Sequence, residues 1–482
     1  MTTSASTAAT PTSSRRWLAL GLIATAQFMV IMDTSIIGVA LPNMQTALNF
    51  DPQDLSWVFN AYVVAFAGLL LLGGRLSDLF GARRIFTAGW VILAVGSLVA
   101  GLANGVAVEL TGRAIQGVGS ALIAPSALTL LFMVFGGSKD LPKALALYGA
   151  AAPAGGTAGV FLGGVLTEWA SWPWVFFLNI PVAAGVLLFT RSVMPAGARV
   201  RGSVDIAGAA TATVGLGALV FAVVRAPEVG WTAASTVGLS AAGLALLALF
   251  VVLQANVRQP LMRLGILRVP NLAAANIAQL LLGAAWIPMF FFTSLYLQQI
   301  LGLGAFASGA ALLPLTVTIM IGMVTVSPKL TERFGPKAMT VAGLATLAGG
   351  LLWLAQIDAD GTFVVDILPA SLVTAAGMAM AFIPSLGTAL SSADPSEGGL
   401  AAGIVNTSYQ FGSALGLAAM TAVAAAFGAD QIGNTTEMTR GFSAGLLGAA
   451  AVAAVGAALA AILLSKPATA AHDSSDSELI AA

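Results

Sequence analysis

Residues 73–89 read GGRLSDLFGARRIFTAG, and residues 326–343 read VSPKLTERFGPKAMTVAG. With Arg75 set over Lys329, the two stretches align at a constant offset of 254. Leu76 meets Leu330, Asp78 meets Glu332, Phe80 meets Phe334 and Gly81 meets Gly335. Arg83 then meets Lys337, and Gly89 meets Gly343. Each copy joins an acid and a base across a glycine turn. A loop that recurs half a chain apart marks a duplicated unit, so the fold is read as two related halves.

Both copies lie between long apolar runs. Hydrophobic residues make up 58% of the 482, charged residues only 8%, and the mean hydropathy is +0.94. A soluble chain carries about 25% charged residues, so this one belongs in lipid. There is no cysteine, which excludes disulfides and thiolate metal sites, and the single histidine, His472, lies in a polar C-terminal stretch. No metal centre or cofactor is expected. The net charge of +0 offers nothing to nucleic acid.

A helical crossing needs about 20 mainly apolar residues. Fourteen windows qualify, near 17–39, 54–74, 85–103, 106–134, 142–167, 172–191, 204–224, 231–254, 271–299, 306–328, 338–357, 364–389, 399–428 and 441–464. They are too long and too uniformly apolar for barrel strands. With the N-terminus inside, 17 of the 20 Lys and Arg fall in inner loops: positions 15, 16, 75, 83, 84, 139, 143, 191, 199, 201, 258, 263, 268, 329, 333, 337 and 466. Only Arg113, Arg225 and Arg440 remain. The positive-inside rule thus predicts an even number of crossings with both termini cytoplasmic. A signal peptide cleaved near Ala24-Thr25-Ala26 is the competing reading of the first run, which continues well past that site to Leu41-Pro42.

The expected architecture is an all-α membrane protein of 14 transmembrane helices. A six-helix bundle spans 15–195, a two-helix insert 196–258, and a second six-helix bundle 259–465. Polar tails at 1–14 and 466–482 are read as disordered. Parallel halves around a central cavity are the plan of a transporter. The repeated loop is then either a plain charged turn or a gating device that pairs with neighbouring helix ends in one conformation only. Its candidate residues are Gly74, Asp78, Gly81, Arg83, Arg84, Glu332 and Gly335.

These residues resemble the major facilitator superfamily, in particular its fourteen-span drug:proton antiporters. In the first span, Asp33-Thr34 followed by Gly38-Val39-Ala40-Leu41-Pro42 is similar to a D-x-T…VALP signature. Residues 74–84 resemble the superfamily loop G-x-L-a-D-r-x-G-r-[KR], with Leu79 in place of the usual base and Ala82 in a common Arg place. Arg113-Ala114-Ile115-Gln116-Gly117-Val118-Gly119 resembles R-x-x-Q-G-x-G, which the resemblance links to proton coupling. Gly155, Gly159, Gly163 and Gly164 resemble an antiporter motif, with Val160 where Pro is usual. Residues 172–181 resemble W-R-W-x-F-x-x-N-x-P, with Pro173 in place of Arg, and Tyr296-Leu297-Gln298-Gln299 with Gly302, Gly309 and Pro314 is also family-like.

Two intramembrane charges stand out. Asp33 lies about 24 Å from the inner end of its helix and Arg113 about 10 Å from the outer end of its own. They can meet at similar depth in a core of about 30 Å. A lone charge at mid-bilayer costs about 2.5–3.5 kcal/mol, so each is expected to face protein. Asp33 with Arg113 is either a structural ion pair or the proton-coupling site. Glu109, one turn before Arg113, is read as an interfacial helix-start residue. The glycines at 155–164 serve tight packing, or let the fifth span slide against the other half. Substrate-cavity candidates are Gln27, Asn60, Tyr62, Gln116, Trp286, Phe290, Tyr296, Asn406 and Tyr409. Their aromatic faces suit amphipathic compounds, cations included.

The expected function is secondary-active efflux of drugs or antibiotics in exchange for protons, by a carrier that works as a monomer in a bacterial plasma membrane. An exporter dedicated to one natural product and a nutrient symporter are the alternatives, although the sparse polar lining suits sugars poorly. No P-loop occurs, so ATP does not drive transport through one. A receptor or intramembrane enzyme is the reading from another class. The membrane runs lack the His, Cys or Lys that would pair a base with a nucleophile.

Overall fold

The stretch around Asp33 folds as one unbroken helix. In the computed structural model, which describes residues 13–50, 57–196, 205–257, 260, 264–265, 269–393, 398–431 and 433–465, α1 (Ser13–Leu48) runs for 36 residues. That is about 54 Å, so it outruns the window near 17–39 and extends beyond a core of about 30 Å. The tail residues 1–12 and 466–482, and Arg199, Arg201, Arg258, Arg263, Arg268 and Lys466 of the expected inner loops, lie outside the described residues.

The remaining chain is helical because hydrocarbon leaves backbone N–H and C=O groups no partner but one another. The helices are α2 (Trp57–Phe80), α3 (Ala82–Gly101), α4 (Val106–Phe135), α5 (Leu141–Trp169), α6 (Trp174–Phe177), α7 (Asn179–Val193), α8 (Ile206–Val229) and α9 (Ala234–Asn256). There follow α10 (Pro270–Leu295), α11 (Ala305–Ala311), α12 (Leu313–Ile321), α13 (Ser327–Leu354), α14 (Leu368–Ser391), α15 (Gly398–Ala426) and α16 (Thr435–Leu463). Wider π-type turns prolong α10 over Tyr296–Ile300, prolong α12 over Gly322–Val326, and precede α14 over Phe363–Ile367. The window at 172–191 is divided between α6 and α7 at Leu178.

Among the described residues, twelve stretches are long and apolar enough to cross a membrane, against the fourteen expected. The difference arises at two places. Phe306–Leu354 forms one continuous stretch of 49 residues, and the apolar part of α8 is only Ala207–Val223. Within the long stretch, Gly335 breaks the helix with φ 83° and ψ 158°. Gly81 does the same between α2 and α3, at φ 91° and ψ 129°. A positive φ with extended ψ is open to glycine and strained for other residues. The repeated loop therefore has one backbone device in both copies.

Helices α1 to α7 pack chiefly among themselves, with α4 central against α1, α2 and α3. Helices α10 to α16 form a second group, with α10 against α14, α15 and α16. The groups meet where α2 and α4 touch α15, and where α5 touches α11, α12 and α14. Helices α8 and α9 pack together, and α8 lies against both α2 and α15, one helix from each group. Asp205 caps the start of α8 by accepting from the Gly208 N–H at 2.8 Å. Its other oxygen accepts from Gln254 Nε2 at 2.7 Å, tying the start of α8 to the end of α9.

Candidate functional site

Glycines on α3 and α4 determine how closely these helices approach. A Cβ on Gly96 would stand 2.6 Å from the Gln116 backbone nitrogen, and one on Gly119 2.6 Å from that of Leu93. On the other side, Gly117 sits against the Tyr62 carbonyl of α2. Only with this contact do the polar side chains of α3 and α4 reach one another inside an apolar core.

There they meet Asp33 of α1. Arg113 Nη1 donates to Asp33 Oδ2 at 2.6 Å and to Gln116 Oε1 at 2.7 Å. Arg113 Nε donates to the Val58 carbonyl at 2.8 Å. Asp33 Oδ1 accepts from Asn179 Nδ2 at 2.7 Å and from Gln116 Nε2 at 3.0 Å. Both amides also donate to Ser97 Oγ, at 3.1 and 2.8 Å. Asp33, Ser97, Arg113, Gln116 and Asn179 are all 0% exposed. A buried pair holds together only if its remaining lone pairs and protons find partners; here Val58 of α2, Gln116 of α4 and Asn179 of α7 engage all the groups of the pair but Arg113 Nη2. The Arg113 guanidinium lies over the Tyr62 ring, 4.7 Å from its centroid. A pairing of Asp33 with Arg113 was legible in the sequence; the contributions of Ser97 and Asn179 were not. Asn179 belongs to the stretch 172–181 quoted as a signature, which was the available signal.

A separate cavity of about 460 Å³ lies between the two helix groups. Seven of the candidates line it: Gln27, Asn60, Tyr62, Trp286, Phe290, Asn406 and Tyr409. Two do not. Gln116 belongs to the Asp33 network, and Tyr296 is buried elsewhere, donating its hydroxyl to the Asp358 carbonyl at 2.7 Å. Sequence reasoning missed Tyr148, which donates to Gln27 Oε1 at 2.7 Å, and Gln279, which reaches Ser385 Oγ at 3.0 Å from α10. Among the described residues, no Asp, Glu, Lys, Arg or His lines the cavity. Asp33 itself does not line it, whereas its neighbour Thr34 and Tyr62 do. Tyr62 thus touches both the ion pair and the cavity.

The cavity uses the early residues of α2, around 59–67, and the later ones of α15, around 405–421. At the opposite end of these two helices, Asp78 Oδ2 accepts from the Leu400 N–H at 3.0 Å, in the first turn of α15. Nearby, the backbones of Gly74 and Gly403 pack directly, with 3.5 Å between the Gly74 Cα and a Cβ added at Gly403. Arg83 Nη1 donates to the Met194 carbonyl at the end of α7, at 3.0 Å, while Arg84 makes no such contact. The second copy differs: Glu332 is exposed, and Gly335 supplies the turn without an equivalent helix-end contact among the described residues.

Of the two neighbours open to the glycines of α5, two of these glycines meet the one in their own group. Gly155 and Gly159 face α1, where added Cβ atoms would stand 2.3 Å from the Phe28 carbonyl oxygen and 2.8 Å from that of Met32. Gly163 is buried, and Gly164 has open space beside it. The face of α5 turned to the other group carries Thr157, hydrogen-bonded to Thr316, and Val160 and Phe161, against Gly309. The smooth surface therefore serves α1 and α5 within one group. Glu109 lies in the first turn of α4, where the sequence placed it, and is 0% exposed, so it faces protein rather than water.

A polytopic helical protein with two packed groups, a cavity between them and a buried ion pair beside it has the build of a membrane carrier. The chain belongs to the Major Facilitator Superfamily, which it matches over residues 23–417. It is 36% identical over 470 residues to the cephamycin export protein CmcT of Amycolatopsis lactamdurans, covering 96% of each chain. It is 34% identical to the puromycin resistance protein pur8 of Streptomyces alboniger, over 85% of this chain and 82% of that one. The tetracenomycin C resistance and export protein of Streptomyces glaucescens is 32% identical, over 84% of this chain and 75% of the relative. Among solved structures, the proton:xylose symporter XylE superimposes with a TM-score of 0.68 at 14% identity, over 95% of this chain and 97% of that chain. That likeness concerns the fold alone.

Proposed function

We propose that the protein is an efflux carrier that exports drugs or antibiotics in exchange for protons by alternating access. The cavity carries this reading: among the described residues it is aromatic and amide-lined without charge, and it shares Tyr62 with the buried ion pair, whose guanidinium lies over that ring. Such a lining suits amphipathic compounds, which bind by apolar contact with a few directed hydrogen bonds. Export and resistance proteins among the relatives support the direction.

Asp33 is the proton carrier. Protonation removes its half of the ion pair, and Arg113, which stays charged, then needs other partners, so the two protonation states favour different packings of α1 and α4. In the conformation described here, Asp78 on the first turn of α15 holds the two groups together at the end opposite the cavity. Releasing that contact is the gating step.

The wider assignment belongs to the same proposal. The chain is a fourteen-span drug:proton antiporter of a bacterial plasma membrane, functional as a monomer, with both termini cytoplasmic. The 49 residues of Phe306–Leu354 would measure about 74 Å if straight. That is enough for two crossings of about 30 Å each, turning at Gly335. With α8 and α9 as a further pair, the halves fall at 15–195 and 259–465 around the insert 196–258. An exporter dedicated to a single natural product is the second reading, favoured by the 96% coverage shared with a cephamycin exporter.

The test uses inside-out vesicles with an acid interior and a fluorescent amphipathic dye, comparing the native protein with Asp33→Asn at equal expression. Gradient-driven dye uptake that disappears in the variant is the expected result. Undiminished uptake refutes Asp33 as the carrier. If the native protein takes up no dye but accumulates cephamycins, the dedicated-exporter reading replaces the multidrug one.

A further inference from the structure

The ion-pair network leaves one acid unused. Glu109 stands four residues before Arg113 on α4 and is fully buried, and among the described residues neither of its carboxylate oxygens has a hydrogen-bond partner. On Arg113, Nη1 and Nε are engaged, but Nη2 is buried without a partner. An acid four residues ahead of a basic residue is the spacing at which side chains on a helix surface meet. The charged groups acting on Glu109 are Arg113 on its own helix and Asp33 on α1. The Tyr62 ring of α2 borders the same guanidinium.

We propose that Glu109 is a second proton site, which exchanges a proton with Asp33 across Arg113. The site holds two carboxyl groups and one permanent cation. With Asp33 ionised and paired, charge is balanced only if Glu109 keeps its proton, since an unpaired buried charge is costly. When the Asp33 carboxylate takes up a proton and lets go of Arg113, the guanidinium is left without a counter-ion. The Glu109 carboxyl then gives up its proton, and its carboxylate pairs with Nη2. The net step moves one proton from Glu109 to Asp33, with no change in the charge of the site. Glu109 lies about 6 Å nearer the start of α4 than Arg113, the end opposite the Asp78 contact. It is the entry station for protons from that side.

The place of Glu109 in transport rests on the reading of Asp33 as proton carrier; its spectroscopic test does not. Infrared spectra of the purified native protein at neutral pH are compared with those of Glu109→Gln and Asp33→Asn, each checked for monodispersity. The native protein is expected to show a protonated-carboxyl band that Glu109→Gln abolishes. Asp33→Asn is expected to abolish the same band, because Glu109 ionises to balance Arg113. Asp33→Ser serves in its stead if the Asn variant does not purify. A native spectrum unchanged by Glu109→Gln overturns the proposal, as does a band that survives removal of the Asp33 carboxylate. In vesicles, gradient-driven uptake by Glu109→Gln should fall at least tenfold. If native vesicles fail to transport while the infrared results hold, the efflux reading fails and the shared proton stands.

Discussion

Removing the Asp78 carboxylate should shift the balance between the two end states of the carrier. Asp78 accepts from the Leu400 N–H at 3.0 Å across the two helix groups. The first N–H groups of a helix have no partner within it, and they carry the positive end of its dipole. A hydrogen bond to a charged group at such a position contributes about 1.5–3 kcal/mol. If that bond exists only in this conformation, Asp78→Ala lowers the conformer ratio by roughly 10- to 150-fold, at about 1.4 kcal/mol per decade. Asp78→Asn keeps an acceptor but loses the charge, and charge-assisted bonds are about twice as strong as neutral ones; it should fall midway on a logarithmic scale. The chain has no cysteine, so spin labels report without background. Leu102→Cys and Phe427→Cys place them at exposed sites beyond α3 and α15, at the end opposite Leu400. Pulsed spin-label distances should show the population at the described separation shrinking in the order native, Asp78→Asn, Asp78→Ala. Superimposable distance distributions for all three would refute the latch.

Further outcomes follow from the same contacts. Gly155→Val drives a side chain into the Phe28 carbonyl and should cost about 1–3 kcal/mol or more, read as a lower melting temperature in detergent. Gly164→Ala, with open space beside it, should stay within about 0.5 kcal/mol of native; equal losses would mean that the α1–α5 contact is misread. Tyr62→Ala removes the ring that touches both the cavity and Arg113, and should let protons leak through substrate-free vesicles, measured with an internal pH dye. Asn406→Asp puts the first charge on the described cavity lining and should raise export of dicationic over neutral dyes; an unchanged preference would mean that Asn406 does not meet the cargo.

The fold was legible because it rests on repeated, local signals. Apolar runs of crossing length define helices in lipid whatever their neighbours do, and the offset between Arg75 and Lys329 made the duplication visible. The span count differs at 306–354, where one described stretch covers the two windows that the sequence separates around its charged loop, and at α8, whose apolar part is only Ala207–Val223. The site was legible in its charges and much less in its neutral members. Asp33 and Arg113 are conspicuous because charge is rare in the membrane runs. Ser97, Asn179, Tyr148 and Gln279 are ordinary residue types, and only the crossing of their helices gives them a role. The burial of Glu109 was illegible for a related reason: its place in the first turn of α4 was read correctly, but the packing of other helices over that turn cannot be read from one helix.

The separation of the ion pair from the cavity bears on how coupling works. A carboxylate inside the cavity would let cargo and proton compete directly, and would restrict the carrier to cations. Here Asp33 accepts from Asn179, Gln116 and Arg113, and the described cavity lining carries no charge. If Asp33 carries the proton, cargo can influence it only through the packing of Tyr62, Thr34 and the helices that bear them. Coupling is then a shift between two conformers, each preferred by one ligand, and a ligand shifts that equilibrium only by its differential affinity for the two states. Such a carrier need not recognise the charge of its cargo. Neutral and cationic compounds of similar shape should therefore be exported with the same number of protons each, and a proton number that changes with cargo charge would bring Asp33 back into direct contact with the substrate.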